Sequence, residues 1–185
     1  SVGSGVALAG CLLAGFLEAG MSWYTAVLAV LGIMIIPGLI SGISIAYGGI
    51  QPFIATLAMM TILRGLAYMY QTGSPKMIFD DNLIFLGDGS LLNDWVPVPL
   101  LIALIITAIC ALILKFTPYG RTLYAIGDNA EAAHLSGMRV KPYTVSVYVI
   151  SSFLAGVAGI IAASRLMLGS AMVGQGYESD AIAAV

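Results

Sequence analysis

The chain has 185 residues, of which 60% are hydrophobic and only 9% charged, with a formal net charge of −2 and a mean hydropathy of +1.02. Ordinary soluble domains carry roughly 25% charged residues, so a water-solvated fold of this size is excluded and lipid must be the solvent for most of the chain. Cys11 and Cys110 both fall inside apolar runs, where they act as small hydrophobes, and they fit neither a disulfide framework nor a metal site.

The first segment, 2–17, is Gly- and Ala-rich and ends at Glu18 and Gly20. It is short for a span, which needs about 20 residues, so it reads as a cut helix or a half-helix. Ser1 opens the chain without a charged n-region or cleavage site, which argues against a signal peptide and for an excerpt of a longer membrane protein. No charge occurs between Glu18 and Arg64, and Gly48-Gly49 with Pro52 divides that interval into two spans, 23–47 and 53–70. The first carries Pro37-Gly38 at its centre, which predicts a kink. Gly38 and Gly42 form a GxxxG pair that invites a neighbouring helix. The second span contains Thr56, Thr61 and Arg64.

Residues 71–96 read as a polar loop with one lysine against four aspartates. A clear span, 97–114, follows and ends at Lys115. The loop 118–142 holds Arg121, Arg139 and Lys141, and the span 143–164 ends before Arg165. In that span Ala155, Gly159 and Ala163 recur every fourth residue as a smooth seam. Residues 166–177 are Gly-rich and irregular. Glu178-Ser179-Asp180 then opens a further helix over 180–185, with acid at the positive end of the helix dipole. Lys and Arg favour the cytoplasmic side, which puts 118–142 inside and 71–96, Glu18 and 166–177 outside. The fold class is therefore all-α: a polytopic integral membrane helical bundle, a single domain incomplete at both ends.

No catalytic constellation and no metal site is legible. His134 is the single histidine, and a G-x-x-x-x-G-K-[ST] phosphate loop is missing, so any ATP hydrolysis belongs to a separate polypeptide or segment. Nothing points to nucleic acid. The strongest positive signal lies in the basic loop. Asp128 stands three residues before Glu131, a capping-box spacing. Ala130, Ala132, Ala133 and Leu135 favour helix, and Gly137 follows where a left-handed residue stops one. About two turns of helix are expected there, too short to stand alone in water, and needing a surface to lie on. That surface is either lipid or another protein, and the weak apolar grip of Leu135 and Met138 favours a protein.

Glu131-Ala132-Ala133, three residues, then Gly137 reproduces the E-A-A-x-x-x-G pattern of ABC-importer permeases. The stretches 119–140 (YGRTLYAIGDNAEAAHLSGMRV), 51–65 (QPFIATLAMMTILRG), 146–166 (SVYVISSFLAGVAGIIAASRL) and 176–185 (GYESDAIAAV) resemble the permeases for ribose and related monosaccharides. The opening Ser1-Val2-Gly3-Ser4 is similar as well. Ser179 stands where an apolar residue is usual, and 71–96 carries no shared motif. The resemblance implies a bacterial inner-membrane subunit that binds no cofactor of its own. It would pair with a second permease copy, two cytoplasmic ATP-binding subunits and an extracytoplasmic sugar-binding protein. Asp128, Glu131, Ala132, Ala133 and Gly137 would then form the helix that couples to the ATPase.

Other residues keep two readings. Arg64 either faces the bundle and pairs with Glu178 or Asp180 at an outer gate, or snorkels to the headgroups. Arg165 either meets the binding protein or anchors the helix at the interface. Glu178 and Asp180 cap a helix or touch sugar, and Thr56 and Thr61 bond their own helix or line the path. An ion-coupled secondary transporter and a non-transporting scaffold are the rival functions.

Overall fold

The computed structural model describes residues 1–71, 74–91, 96–177, 179 and 183. Eight helices dominate: α1 Val2–Glu18, α2 Trp23–Ala46, α3 Pro52–Gln71, α4 Asp81–Asp88, α5 Val98–Phe116, α6 Pro118–Asp128, α7 Ala130–Leu135 and α8 Val140–Leu166. Four two-residue strands, β1 Lys76–Met77, β2 Ser90–Leu91, β3 Val96–Pro97 and β4 Leu168–Gly169, form the antiparallel pairs β1–β4 and β2–β3. Helices α2, α3, α5 and α8 are long and apolar enough to cross a membrane. The architecture is that of a polytopic all-α membrane protein.

The centre of the bundle is α1, buried without interruption from Gly3 to Gly15. Small residues explain how it can be surrounded so closely. The seam of α8 lies directly on it: a Cβ at Gly159 would stand 2.5 Å from the Val6 carbonyl oxygen and 2.7 Å from Ala9 Cβ. A Cβ at Gly10 would touch that of Ala163. Without a hydrophobic driving force between helices in lipid, such close packing is what holds spans together. The GxxxG pair of α2 finds α8 on another face. A Cβ at Gly38 would meet the Tyr148 carbonyl at 2.7 Å, and one at Gly42 the Val145 backbone at 2.9 Å. Helix α2 continues through Pro37 to Ala46. Three residues before that proline, the Met34 carbonyl accepts a 2.6 Å bond from Ser152 Oγ, a side-chain supplement of the kind that makes proline tolerable in spans.

The outward faces are apolar in the opposite sense to a soluble protein. Helix α5 is almost wholly exposed, with Leu100, Leu104, Ile105, Ile109 and Leu112 on its surface, as lipid solvation requires. The two ends of the bundle differ in charge. At one end Glu18 bridges Lys76 at 2.7 Å, and α4 lies across α8 with Gly87 against the Ser164–Arg165 backbone. At the other, Lys141 Nζ sits 5.2 Å from the Tyr47 ring centroid, with Lys115, Arg121 and Arg139 nearby in the chain.

Two stretches read as loops are organised. Residues 71–96 contain α4, capped by Asp80, whose carboxylate accepts from the Asn82 N–H at 3.0 Å. Residues 166–177 do not stay at the Glu18 end: Gly169, Ser170, Ala171 and Gly174 are buried, and Gly174 reaches the Gly3 carbonyl near the start of α1. The physical reason is that α1 offers glycines along the route, so a backbone can lie against it.

Candidate functional site

The basic loop 118–142 is two helices rather than one. Thr117 caps α6, its hydroxyl accepting from the Gly120 N–H at 3.2 Å and donating to the Ile113 carbonyl at 2.6 Å. Pro118 follows at the first helical position, where its missing N–H costs nothing. At Gly120 a side chain would strike the Leu114 backbone, so the corner between α5 and α6 is closed and stiff. Tyr119 pins α6 to α8: its hydroxyl lies 2.6 Å from Ser146 Oγ, and its ring is 5.4 Å from that of Tyr143.

The capping expectation requires correction. Asp128 is the last residue of α6, and the cap of α7 is Asn129, whose Oδ1 accepts from the N–H groups of Glu131 (3.0 Å) and Ala132 (2.9 Å). The extended backbone of Asn129 (φ −156°, ψ 102°) breaks α6 from α7 and places its amide oxygen over the new helix start. The stop at Gly137 has φ +85°. Its N–H bonds to the His134 carbonyl and that of Met138 to the Ala133 carbonyl, the paired pattern of a Schellman motif.

Helix α7 therefore has a fixed shape at both ends. Ala133 faces inward and is buried, while Glu131, Ala132, His134 and Leu135 are exposed, Leu135 by 81%. Leu135 is thus a large apolar side chain on the exposed face of a short, doubly capped helix.

The remaining candidates separate. Thr56 bonds the Pro52 and Phe53 carbonyls and Thr61 the Ala58 carbonyl, all within α3. Arg165 is exposed at the end of α8. Glu178 and Asp180, with most of 180–185, lie outside the described residues. Arg64 is part-buried and faces the bundle, where its Nη1 donates to the carbonyls of Ala171 and Val173 (3.0 Å). Ser1, Ser41, Tyr148, Ser151 and Ser152 line a narrow cleft at the middle of the bundle, together with Gly5, Gly38 and Leu63. Sequence reading missed α6, although Thr-Pro at 117–118 is a helix-start signal, and missed Asn129, although Asn ranks with Asp as a cap.

These features define a helical membrane protein with a stiff, exposed helical hairpin connection at its basic end. A family model described as branched-chain amino acid transport system, permease component, matches residues 1–185, and the chain belongs to that family. It is 42% identical over its whole length to the ribose import permease protein RbsC of Haemophilus influenzae and 39% to that of Bacillus subtilis, spanning 58% of each. It is also 36% identical to the galactofuranose transporter permease protein YtfT of Escherichia coli, spanning 54% of it. The chain thus covers a little over half the length of these relatives. No solved structure matches it. With four membrane-crossing helices and this bacterial kinship, it is a multi-pass protein of the bacterial inner membrane.

Proposed function

We propose that the chain is part of the membrane-spanning subunit of an ATP-binding-cassette importer that carries a monosaccharide of the ribose type. The observation behind this reading is α7. Both of its ends are fixed by hydrogen bonds, Ala133 seats it on its own protein, and Leu135 is offered outward. Glu131, Ala132, Ala133 and Gly137 supply the shape and Asn129 the start, and an ATP-binding subunit supplies the groove. Relatives named for ribose, galactofuranose and fructose favour a sugar as cargo.

In mechanism, nucleotide-driven closure of two ATP-binding subunits would push α7 in each of two permease copies. The stiff corner at Gly120 and the Gly137 stop pass that push to α5 and α8, tilting spans so that the path opens alternately to each side. A sugar-binding protein would deliver cargo at the Glu18 end, with Arg165 an exposed cation for it to meet. The test uses the full-length subunit with Leu135→Cys, co-expressed with its ATP-binding partner. Cross-linking to that partner is expected, and no adduct in an otherwise intact complex refutes the coupling role. Uptake in vesicles driven by an ion gradient without ATP would instead favour a secondary transporter.

A further inference from the structure

We propose that residues 168–177 are a re-entrant plug that closes the bundle from the Glu18 end, and that Arg64, with Gln71, is the latch that holds it shut. The segment leaves α8 at Met167, which adopts a left-handed conformation (φ 53°), and its first two residues pair with β1. It then turns inward. Gly169 lies against the Gly10 carbonyl and Ala14, and Gly174 against the Gly3 carbonyl. From Gly10 to Gly3 is about 10 Å along α1 at ~1.5 Å per residue, so the backbone descends well into the apolar bundle.

Irregular backbone at that depth is tolerated only when its polar groups find partners inside the protein. Helix α3 provides them. Arg64 Nη1 donates to the Ala171 and Val173 carbonyls, and Gln71 Oε1 accepts from the Ala171 N–H at 2.6 Å. The cation thus spends its charge on carbonyl dipoles at the tip of the loop. The contact surface is small-residued (Gly169, Ser170, Ala171 and Gly174), so little side-chain interlocking resists withdrawal once those bonds break. The tip rests beside Gly3. Withdrawal would open the face of α1 that carries Gly3, Gly10 and Ala14 to the Glu18 side. The gating role rests on the transport reading above, but the closure itself does not.

Buried Cys11 belongs to the same core cluster as Ala67, Ile78 and Ala171, on α1 between the Gly10 and Ala14 contacts of the plug, and serves as reporter. In the full-length subunit in its native membrane, all other cysteines are replaced, with Cys110→Ser among the changes, and a membrane-impermeant maleimide is added from outside. Labelling should be slow with Arg64 in place. Arg64→Met, which keeps the stem but removes the donors, should speed it about ten-fold or more, because charged hydrogen bonds hold the local opening closed. Arg64→Lys should stay near the parent, and Gln71→Leu should give a smaller rise. Unchanged labelling in Arg64→Met and Gln71→Leu, both inserted at parental levels, overturns the proposal. Should Arg64→Met fail to accumulate, Gln71→Leu decides: a rise supports the latch and no change overturns it. Labelling needs neither ATP nor sugar, so a failed cross-link at Leu135 beside a positive result here would sink the importer reading and leave the plug standing.

Discussion

Gly159→Ala is the most direct challenge to the packing that organises the bundle. The new Cβ would lie 2.5 Å from the Val6 carbonyl oxygen and 2.7 Å from Ala9 Cβ. A carbon rests about 3.3–3.6 Å from a carbonyl oxygen, so α1 and α8 must part by roughly 0.8 Å. Helix α1 has little room to retreat, since it is buried from Gly3 to Gly15 and α3 packs on another face, with Tyr70 against Gly15. Overpacking of this kind costs about 1–3 kcal/mol. Alanine recovers up to ~1 kcal/mol in helix propensity, leaving a net loss of roughly 0–2 kcal/mol. Gly65→Ala is the control: it lies on the same kind of helix with nothing within 4 Å of its Cβ, and should be neutral or slightly stabilising. Unfolding of the full-length subunit in mixed micelles, titrated with denaturing detergent, compares the two. Equal midpoints for both variants would refute the claim that α8 is seated on α1 through bare backbone.

Four further outcomes follow from named contacts. Asn129→Ala should cost α7 about 1 kcal/mol, as loss of a helix cap does, and raise amide exchange at Glu131 and Ala132, whereas Asp128→Ala should leave both amides protected. Gly137→Val forces a β-branched residue to φ +85°, a strain of at least about 1–2 kcal/mol. It should abolish sugar uptake with membrane insertion preserved, as should Glu131→Lys, read by transport assays on matched protein amounts. Ser152→Ala removes the bond to the Met34 carbonyl and should destabilise by about 1 kcal/mol in the same detergent titration. Glu18→Gln breaks the bridge to Lys76, but the glutamate is 62% exposed, so the change should stay below about 1 kcal/mol.

What could be read from sequence was whatever depends on periodic or compositional pattern. Lipid as solvent follows from the charge deficit, and the seam Ala155-Gly159-Ala163 and the pair Gly38-Gly42 announce close helix contacts by spacing alone. The partners of those seams were not legible, because GxxxG says that a backbone approaches and not whose. The stop at Gly137 was readable since one left-handed residue suffices. The start was misassigned to Asp128 because carboxylate spacing matched a capping box while the adjacent amide, chemically as good a cap, took the extended backbone. For Arg64 the sequence left two partners open, a carboxylate at 178 or 180 and the lipid headgroups. A guanidinium buried beside irregular backbone is served equally by carbonyls, and only the inward path of 168–177 reveals that those carbonyls are within reach.

Helix α8 ties the two ends of this reading together. It is 27 residues long, about 40 Å at ~1.5 Å per residue. It begins at the Gly137 stop of α7 and ends at Met167, where the inward loop departs. Its packing on α1 and α2 runs through Gly159, Ala163, the Gly38 and Gly42 contacts and the Ser152–Met34 bond, which support it along its length as one rod. A push on α7 would therefore travel as rigid-body movement of α8 and arrive at the base of the plug. Spin labels on exposed Val147 and Leu166, both on α8, test this in the full-length subunit. Their separation should be the same with and without nucleotide, while the distance from each to a label at Tyr47, at the end of α2, changes. A nucleotide-dependent change between Val147 and Leu166 would mean that α8 bends or unwinds, and the push on α7 would then reach the plug by some other element.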